Sequence, residues 1–453
     1  MPERAGRRFP PAVTTAVAAL VMAGCSIAVA GGAAAGAAAK SSSSPTSSLQ
    51  CPPGLGTGAP GVTPTQINVA AVSTLTGPLS ADFAALVPGA EAYFDTVDAH
   101  GGVDGRKIVL ADNLNDVGTG SRFETETHTA IDQDHAFAVL VSSYWFIPTY
   151  FASTCTPTYG FNVTGDWTTS PNLYAAGGSV ENYRSTAPSI AFLAKQLKVK
   201  SLATLAYGVS SSRDSCQTTM TSLHKAGFTV SYSDLQLTPL NPDLAPDVQR
   251  IRQSGAGLIV SCMTVDGNIA LSRDLKLYGV KVKELWLTVI NQTVLNKESS
   301  LIQGVYFRVE NVPLDANRKF PGTYPGLAAY LSAMHRYAPA YTSDNTALQG
   351  WESAALLVAG IKAAGKDLTQ ANVVKMTNTL TAFTANGINT PMNWTRTHTY
   401  STPPFCSAFV QVRGKVLEPV LGQGKQVFVC FGSTPKHSTP EPTIRGAPGP
   451  HVG

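Results

Sequence analysis

Charge is scarce in this 453-residue chain: Asp, Glu, Lys and Arg together make up 14% of it, against about 25% in an average soluble protein. No basic run follows Lys40, and the formal net charge of +4 includes Arg4, Arg7, Arg8 and Lys40 near the N-terminus. The rest is close to neutral. That excludes a phosphate-tracking surface, which needs Lys and Arg gathered on one face, so no nucleic-acid partner is expected. Motifs for chemistry are also missing. There is no HExxH and the eight His are scattered; there is no GxxxxGK[ST], no GxSxG, and no cysteine pair at CxxC spacing. Zinc, P-loop and serine-hydrolase chemistry lose their usual carriers. Gly54, Gly56 and Gly58 precede the first apolar segment and so cannot cradle a pyrophosphate behind it. Beyond the N-terminal region no apolar run approaches the roughly 18 residues of a membrane span. No cofactor, metal or enzymatic activity is expected.

What is present begins at the N-terminus. Arg4, Arg7 and Arg8 precede an apolar stretch over 12–24, broken by Thr14 and Thr15. This is the three-part pattern of a secretory signal peptide. Met22-Ala23-Gly24-Cys25 resembles a bacterial lipobox with Met in place of Leu, which makes Cys25 the lipidated N-terminus of the mature protein. Cleavage after Ala28-Val29-Ala30 is the alternative, and Arg7-Arg8 permits a twin-arginine route. Residues 26–50 are rich in Ala and Gly and then Ser, too poor in apolar side chains to offset ordering entropy, and read as a flexible tether. The expected location is therefore extracytoplasmic, lipid-anchored to the cell membrane. Six cysteines remain beyond Cys25, namely Cys51, Cys155, Cys216, Cys262, Cys406 and Cys430. An oxidising compartment favours three disulfides, with fifteen connectivities open.

Hydrophobic residues make up 43% of the chain, and its length suggests two or three domain-sized units. Apolar strand-like runs at 67–72 (INVAAV), 107–110, 137–141 (FAVLV) and 159–163 alternate with helical patterns at 81–99 and 121–133. A second series follows, with strands at 201–206, 228–232, 258–262 (LIVSC) and 285–288 and helices at 212–225, 244–253 and 267–278. Such alternation predicts parallel sheets covered by helices on both faces. Helices are expected next at 326–337, 347–364 and 369–380, then a small antiparallel cap at 407–412, 416–417 and 426–429, and a disordered tail over 433–453.

The order of these segments resembles the branched-chain amino-acid-binding proteins, the type I solute-binding proteins of ABC importers. The resemblance spans roughly 65–430. It rests on Leu75-Thr76-Gly77-Pro78, on His100-Gly101-Gly102-Val103-Asp104-Gly105-Arg106-Lys107-Ile108, and on Lys225-Ala226-Gly227. It rests further on Arg273-Asp274-Leu275-Lys276-Leu277-Tyr278-Gly279, Gly304-Val305-Tyr306 and Gln349-Gly350-Trp351-Glu352-Ser353-Ala354. The resemblance implies an α/β fold of two Rossmann-like lobes with three interlobe crossovers and a C-terminal β cap. Lobe one would take 51–183 and 311–392, lobe two 184–310 and 393–432. On these segments the cysteines pair as Cys51–Cys155, Cys216–Cys262 and Cys406–Cys430.

The resemblance also implies capture of a small polar solute in an interlobe cleft by a monomer that serves an ABC permease. A receptor domain for a signalling partner is the alternative, and an enzyme using the cleft a remote one. Ligands of doubly wound sheets sit beyond the carboxyl ends of the strands. In lobe one this points to Ser73, Thr74, Thr76, Ser142, Ser143, Tyr144 and Trp145, then to Thr164, Asp166, Trp167 and Thr169. In lobe two it points to Tyr207, Ser211, Ser212, Thr264 and Asp266. Hydroxyls there can bind a carboxylate, Asp266 an ammonium, and the aromatics can stack, although a Ser or Thr at a strand end also caps the next helix. In the family pattern Thr169 matches the Thr of a T-x-P stretch after the fourth strand, and the ammonium-holding acid falls at or next to Asp266. Trp145 and Ser211-Ser212 depart from the pattern, so an amide-bearing or aromatic solute is as well supported as an aliphatic amino acid.

Overall fold

The computed structural model describes residues 49–162, 164–178, 188–239, 243–398, 405–431 and 442–445. The leader, Cys25 and nearly all of the tether lie outside them, as does the expected tail apart from 442–445. Among the described residues no helix is long and apolar enough to cross a membrane.

The first lobe opens with β1 (Gln66–Ser73), α1 (Ser80–Phe83), α2 (Leu86–Ala99), β2 (Lys107–Asn115) and α3 (Gly120–His128), which a π turn extends over Thr129–Gln133. Next come β3 (Ala138–Ser142), α4 (Thr149–Thr154), β4 (Thr158–Gly160), a 3-10 turn at Gly165–Thr168, and β5 (Leu173–Ala175). The five strands form a sheet in the order β2-β1-β3-β4-β5 with every pairing parallel. The all-apolar runs of β1 and β3 suit strands buried on both faces. The helix expected over 81–99 is broken into α1 and α2. Pro88 causes the break, because it has no N–H to donate to the Ala84 carbonyl and its ring crowds that turn. The strand expected at 159–163 is confined to β4, after which Phe161 and Asn162 leave the sheet edge.

The second lobe carries α5 (Pro188–Gln196), β6 (Ser201–Tyr207), α6 (Ser210–Lys225), β7 (Thr229–Leu237), α7 (Ala245–Ser254) and β8 (Leu258–Ser261). It continues through α8 (Val265–Leu277), β9 (Lys283–Trp286), α9 (Gln292–Glu298) and β10 (Tyr306–Val309). The chain then forms α10 (Ala316–Lys319), which lies against the later strand at 416–420, and returns to the first lobe as α11 (Pro325–Tyr337), α12 (Asn345–Ala364) and α13 (Gln370–Thr377). It ends in β11 (Phe405–Arg413), β12 (Val416–Val420), β13 (Phe428–Phe431) and β14 (Pro442–Arg445). The second sheet runs β14-β13-β11-β10-β9-β8-β6-β7, with β12 also paired to β11.

The C-terminal strands, expected in lobe two, continue the second sheet: β11 lies antiparallel on β10, with Phe307 opposite Val410. One expectation is corrected here: residues 442–445, assigned to a disordered tail, form β14 against β13. A sheet edge of unpaired N–H and C=O groups invites another strand.

Each sheet is packed on both faces. In the first lobe Ile67, Val69 and Leu140 pack with Phe94 of α2 and Leu357 and Ile361 of α12. Its other face buries Phe123, Phe146, Phe151 and Trp167. In the second, Leu202, Leu258 and Phe409 face α5, while Leu205 and Ile259 pack with Val248 of α7 and Leu271 of α8. The disulfides are Cys51–Cys155, Cys216–Cys262 and Cys406–Cys430. The last joins residues directly opposed on β11 and β13.

Helices α2 and α12 cross at near backbone contact. A Cβ on Gly89 would lie 1.8 Å from the Ala347 carbonyl oxygen, and one on Gly350 would lie 1.8 Å from that of Leu86. Only glycine fits at either place. Gly350→Ala should therefore destabilise the protein by about 1–3 kcal/mol or abolish folding, as overpacking does. Gly58→Ala, where the nearest atom is 3.9 Å away, should melt like the parent. Thermal melts of the two variants check this, and equal melting temperatures would contradict the close crossing.

Candidate functional site

The carboxyl ends of the first-lobe strands are tied together by hydroxyls and one buried acid. Asp116 follows β2 and accepts from Thr74 Oγ1 at 2.8 Å and from the Ser143 hydroxyl. Ser142 Oγ donates to the Phe83 carbonyl at 2.7 Å, which anchors α1 on β3. These groups are fully buried. Their effect is to hold the short α1 over the strand ends so that Asp82 and Phe83 face the second lobe.

The second lobe meets them with the starts of two helices. Tyr207, at the end of β6, shares a hydrogen bond of 2.9 Å with Thr264 Oγ1 at the start of α8. Ser212 Oγ accepts from Tyr207 N–H at 2.8 Å and donates to the Cys262 carbonyl at 2.7 Å, closing the turn that presents Ser211. The first lobe adds the beginning of α12. Asp344 caps it by accepting from Thr346 N–H at 2.8 Å, and Thr346 Oγ1 donates to the Asp82 carbonyl at 3.2 Å.

These elements enclose a cavity of about 240 Å³ between the lobes. Phe83, Tyr144 and Phe161 form an aromatic wall on the first-lobe side, with Phe83 edge-on to Phe161 at 5.3 Å between ring centroids. Tyr207, Thr264, Thr288 and Val289 line the opposite side, and Arg308, Glu310 and Asn311 enter from the strand that leads back to the first lobe. The lobes touch across the cavity. The Asp82 carboxyl lies near the Val265 N–H, and Tyr144 lies near Ser211.

The electrostatics are one-sided. Asp82, Glu310, Asp344 and Glu352 line the cavity, and Arg308 is the one basic lining residue among those described. Arg308 is already paired with Glu310 at 3.3 Å. Burial pushes the Asp82 carboxyl up to about 7, helped by the negative charges of Asp266 and Asp344 and opposed by the Val265 N–H. Burial likewise pushes Glu352 up to about 7, with the amides of Asn389 and Asn311 offsetting part of the rise. Asp344 is raised by burial against the pull of its two capping N–H groups. Among the described residues no group of three or more His, Cys, Asp or Glu is placed to hold a metal ion.

Of the sixteen residues singled out from sequence, Tyr144, Tyr207, Ser211, Ser212 and Thr264 line the cavity. Ser73, Ser142 and Ser143 lie just behind it, buried in the first-lobe framework. Thr76 is exposed and accepts from Asn115 Nδ2 at 2.8 Å. Trp145 is 43% exposed, with Nε1 donating to the Gly118 carbonyl. Trp167 is fully buried and stacks on Phe146 at 4.0 Å. Thr169 Oγ1 closes a local turn by donating to the Asp166 carbonyl. Asp266 is exposed on the first turn of α8 and acts on the cavity only through its charge on Asp82. The strand-end rule missed Asp82 and Phe83, which sit one short helix further on, and Glu352. A signal for Glu352 was present: it is the one charged residue of α12 before Lys362, inside a run buried on nearly every side.

Two sheets whose strand ends face one shared cavity define a two-lobed solute-binding fold. The chain belongs to the periplasmic binding protein family, whose pattern matches residues 66–416. Comparison of the sequence with curated proteins finds no match. Among solved structures, a branched-chain amino-acid ABC transporter from Thermus thermophilus with bound valine aligns over 82% of this chain and 98% of its own, at 15% identity and a TM-score of 0.67. A fatty acid ABC transporter substrate-binding protein from Thermomonospora curvata aligns over 80% and 92%, at 17% identity and 0.67. A solute-binding protein of an R. palustris ABC transporter in complex with benzoate aligns over 85% and 100%, at 14% identity and 0.64. At these identities the likeness is one of fold. The family is extracytoplasmic, and its members bind solutes.

The raised carboxyls make stability depend on pH. Between about pH 4 and pH 7 the unfolded chain releases the protons of Asp82 and Glu352 while the native state keeps them, so stability falls as pH rises through that window and levels above it. The double variant Asp82→Asn, Glu352→Gln should lose less stability between pH 5 and pH 8, by on the order of 1–3 kcal/mol. Urea midpoints at the two pH values measure it, and equal losses in parent and variant would contradict the assignment.

Proposed function

We propose that this protein is an exported receptor, anchored through a lipidated Cys25, that captures a small solute between its lobes as a monomer and hands it to an ABC permease without altering it. The observation that carries the reading is the cavity itself, walled by the carboxyl ends of both sheets and crossed by contacts from Asp82 and Tyr144. A cavity at a lobe interface is a common ligand site. Hinge closure would bury a solute between Phe83 and Tyr144 on one side and Tyr207 and Thr264 on the other. Solved proteins of similar fold carry names that place valine, benzoate and fatty acid among the solutes of such receptors. None of those names fixes the solute here.

Thermal shift against a library of amino acids, amides, amines and aromatic acids tests capture. A cognate solute at 100 times its Kd should add about 2.7 kcal/mol. Tyr207→Ala should weaken binding at least tenfold, since it removes a wall of the cavity. If no compound raises the melting temperature and no solute survives purification, the capture reading fails. The anchor has a separate test: the parent should fractionate with membranes and Cys25→Ser should not, while membrane retention of Cys25→Ser would refute lipidation.

A further inference from the structure

The cavity contains hydrogen-bond acceptors that nothing satisfies. Glu352 is 4% exposed and Asn311 is 3% exposed, and both line the cavity. Neither Glu352 Oε1 nor Asn311 Oδ1 has a hydrogen-bond partner, and the same holds for Gln349 Oε1 one turn earlier on α12. The Asn311 and Asn389 amides lie near the Glu352 carboxyl without forming a bond to that oxygen. A buried acceptor without a donor is costly, and in native structures such groups are nearly always paired. All three are acceptor oxygens, so a solute that satisfies them must bring N–H or O–H donors; the Tyr144 hydroxyl across the cavity is unpaired too and can donate or accept.

Charge narrows the choice. Among the described residues the other charged groups that line the same cavity come from three elements, and Glu310 is the one whose charge raises Glu352. Glu310, with Arg308 paired to it, comes from the end of β10, Asp344 from the cap of α12, and Asp82 from α1. The Tyr330 phenol comes from α11, its ionisation suppressed first by burial and then by Asp344 and Glu352. The sum is negative. A solute carboxylate would meet four acids and one arginine that is already engaged. A cation would relieve the repulsion between Glu352 and Glu310, and that between Asp82 and Asp344, and take the place of the missing donors.

We propose that the solute is an organic cation, a protonated amine or amidine on an apolar or aromatic body, whose N–H groups are received by Glu352 with Asn311 and Gln349. The aromatic wall of Phe83, Tyr144 and Phe161 lies across the same cavity and would cover the apolar part, with ring faces suited to a neighbouring positive charge. This assignment rests on the capture reading above and reverses the expectation of a carboxylate-bearing solute.

The test uses the full chain, cleared of carried-through solute by unfolding in urea with its disulfides intact and refolding. Calorimetric titration compares phenethylamine and benzamidine with the neutral benzamide and the anionic benzoate, from pH 5.5 to pH 8. The cations should bind at least tenfold more tightly than benzamide or benzoate. Their affinity should rise by up to tenfold per pH unit until Glu352 is ionised, near pH 7. Glu352→Gln should cost the cations tenfold or more and flatten that pH dependence; a melt at pH 8 no lower than the parent's shows that the variant is folded. In parallel, mass spectrometry of the solute released by urea should find a cation. Tighter binding of benzoate or benzamide, an anionic or neutral carried-through solute, or unchanged cation affinity in Glu352→Gln would overturn the charge assignment and leave capture standing. No carried-through solute and no binding by any probe would overturn both.

Discussion

The backbones of α2 and α12 touch. With glycine at 89 and 350, each helix rests on a carbonyl of the other. That contact does more than fill a core. Helix α12 belongs late in the chain but is locked onto the first-lobe sheet, so its opening turns lie against α1 and reach the space between the lobes. Asp344, Gln349 and Glu352 owe their place in the cavity to it. The same packing removes water from Glu352, because nearly every other face of α12 at that level is buried. A substitution far from any solute would therefore move the acids that the cavity depends on.

The second determinant is the separation of framework from surface within one set of polar residues. Thr74, Ser142, Ser143 and Asp116 satisfy one another and the backbone behind the cavity wall. Buried polar networks of this kind stiffen a structure when every member is paired. The groups in front of them differ. Glu352 Oε1, Asn311 Oδ1 and Gln349 Oε1 are left without donors, and the Asp82 and Glu352 carboxyls hold protons to unusually high pH. Stability has been given up at these positions, as expected where a site waits for a partner.

The fold was legible because its signals are periodic. Runs such as 67–72 and 137–141 are apolar without alternation, and with helices between them they admit a parallel sheet. What escaped was set by contacts distant in sequence. The three-residue β5 has too few residues to show a period. The C-terminal strands read as part of lobe two, but nothing local reveals that β10 offers them an edge. Pro88 marks the break between α1 and α2 in the sequence itself. The site was legible only in part. Strand ends located the neighbourhood, and Tyr144, Tyr207, Ser211 and Thr264 face the cavity. The same rule also gathered Ser73, Ser142 and Ser143, because a hydroxyl at a strand end serves the framework as readily as a ligand. Trp167 and Trp145 show the complementary limit: one is stacked in the core and the other lies on the surface.

A cavity lined by acids, unfilled acceptors and an aromatic wall leads to one claim, that the interlobe space holds a cationic solute against Glu352. A crystal structure of protein purified directly from its native host, without unfolding, tests it most directly. The account predicts density in the cavity for a compound with a nitrogen about 3 Å from Glu352 Oε1 and an apolar part against Phe83, Tyr144 and Phe161. A carboxylate or other anionic group at that position, or a solute bound outside the cavity, would contradict it.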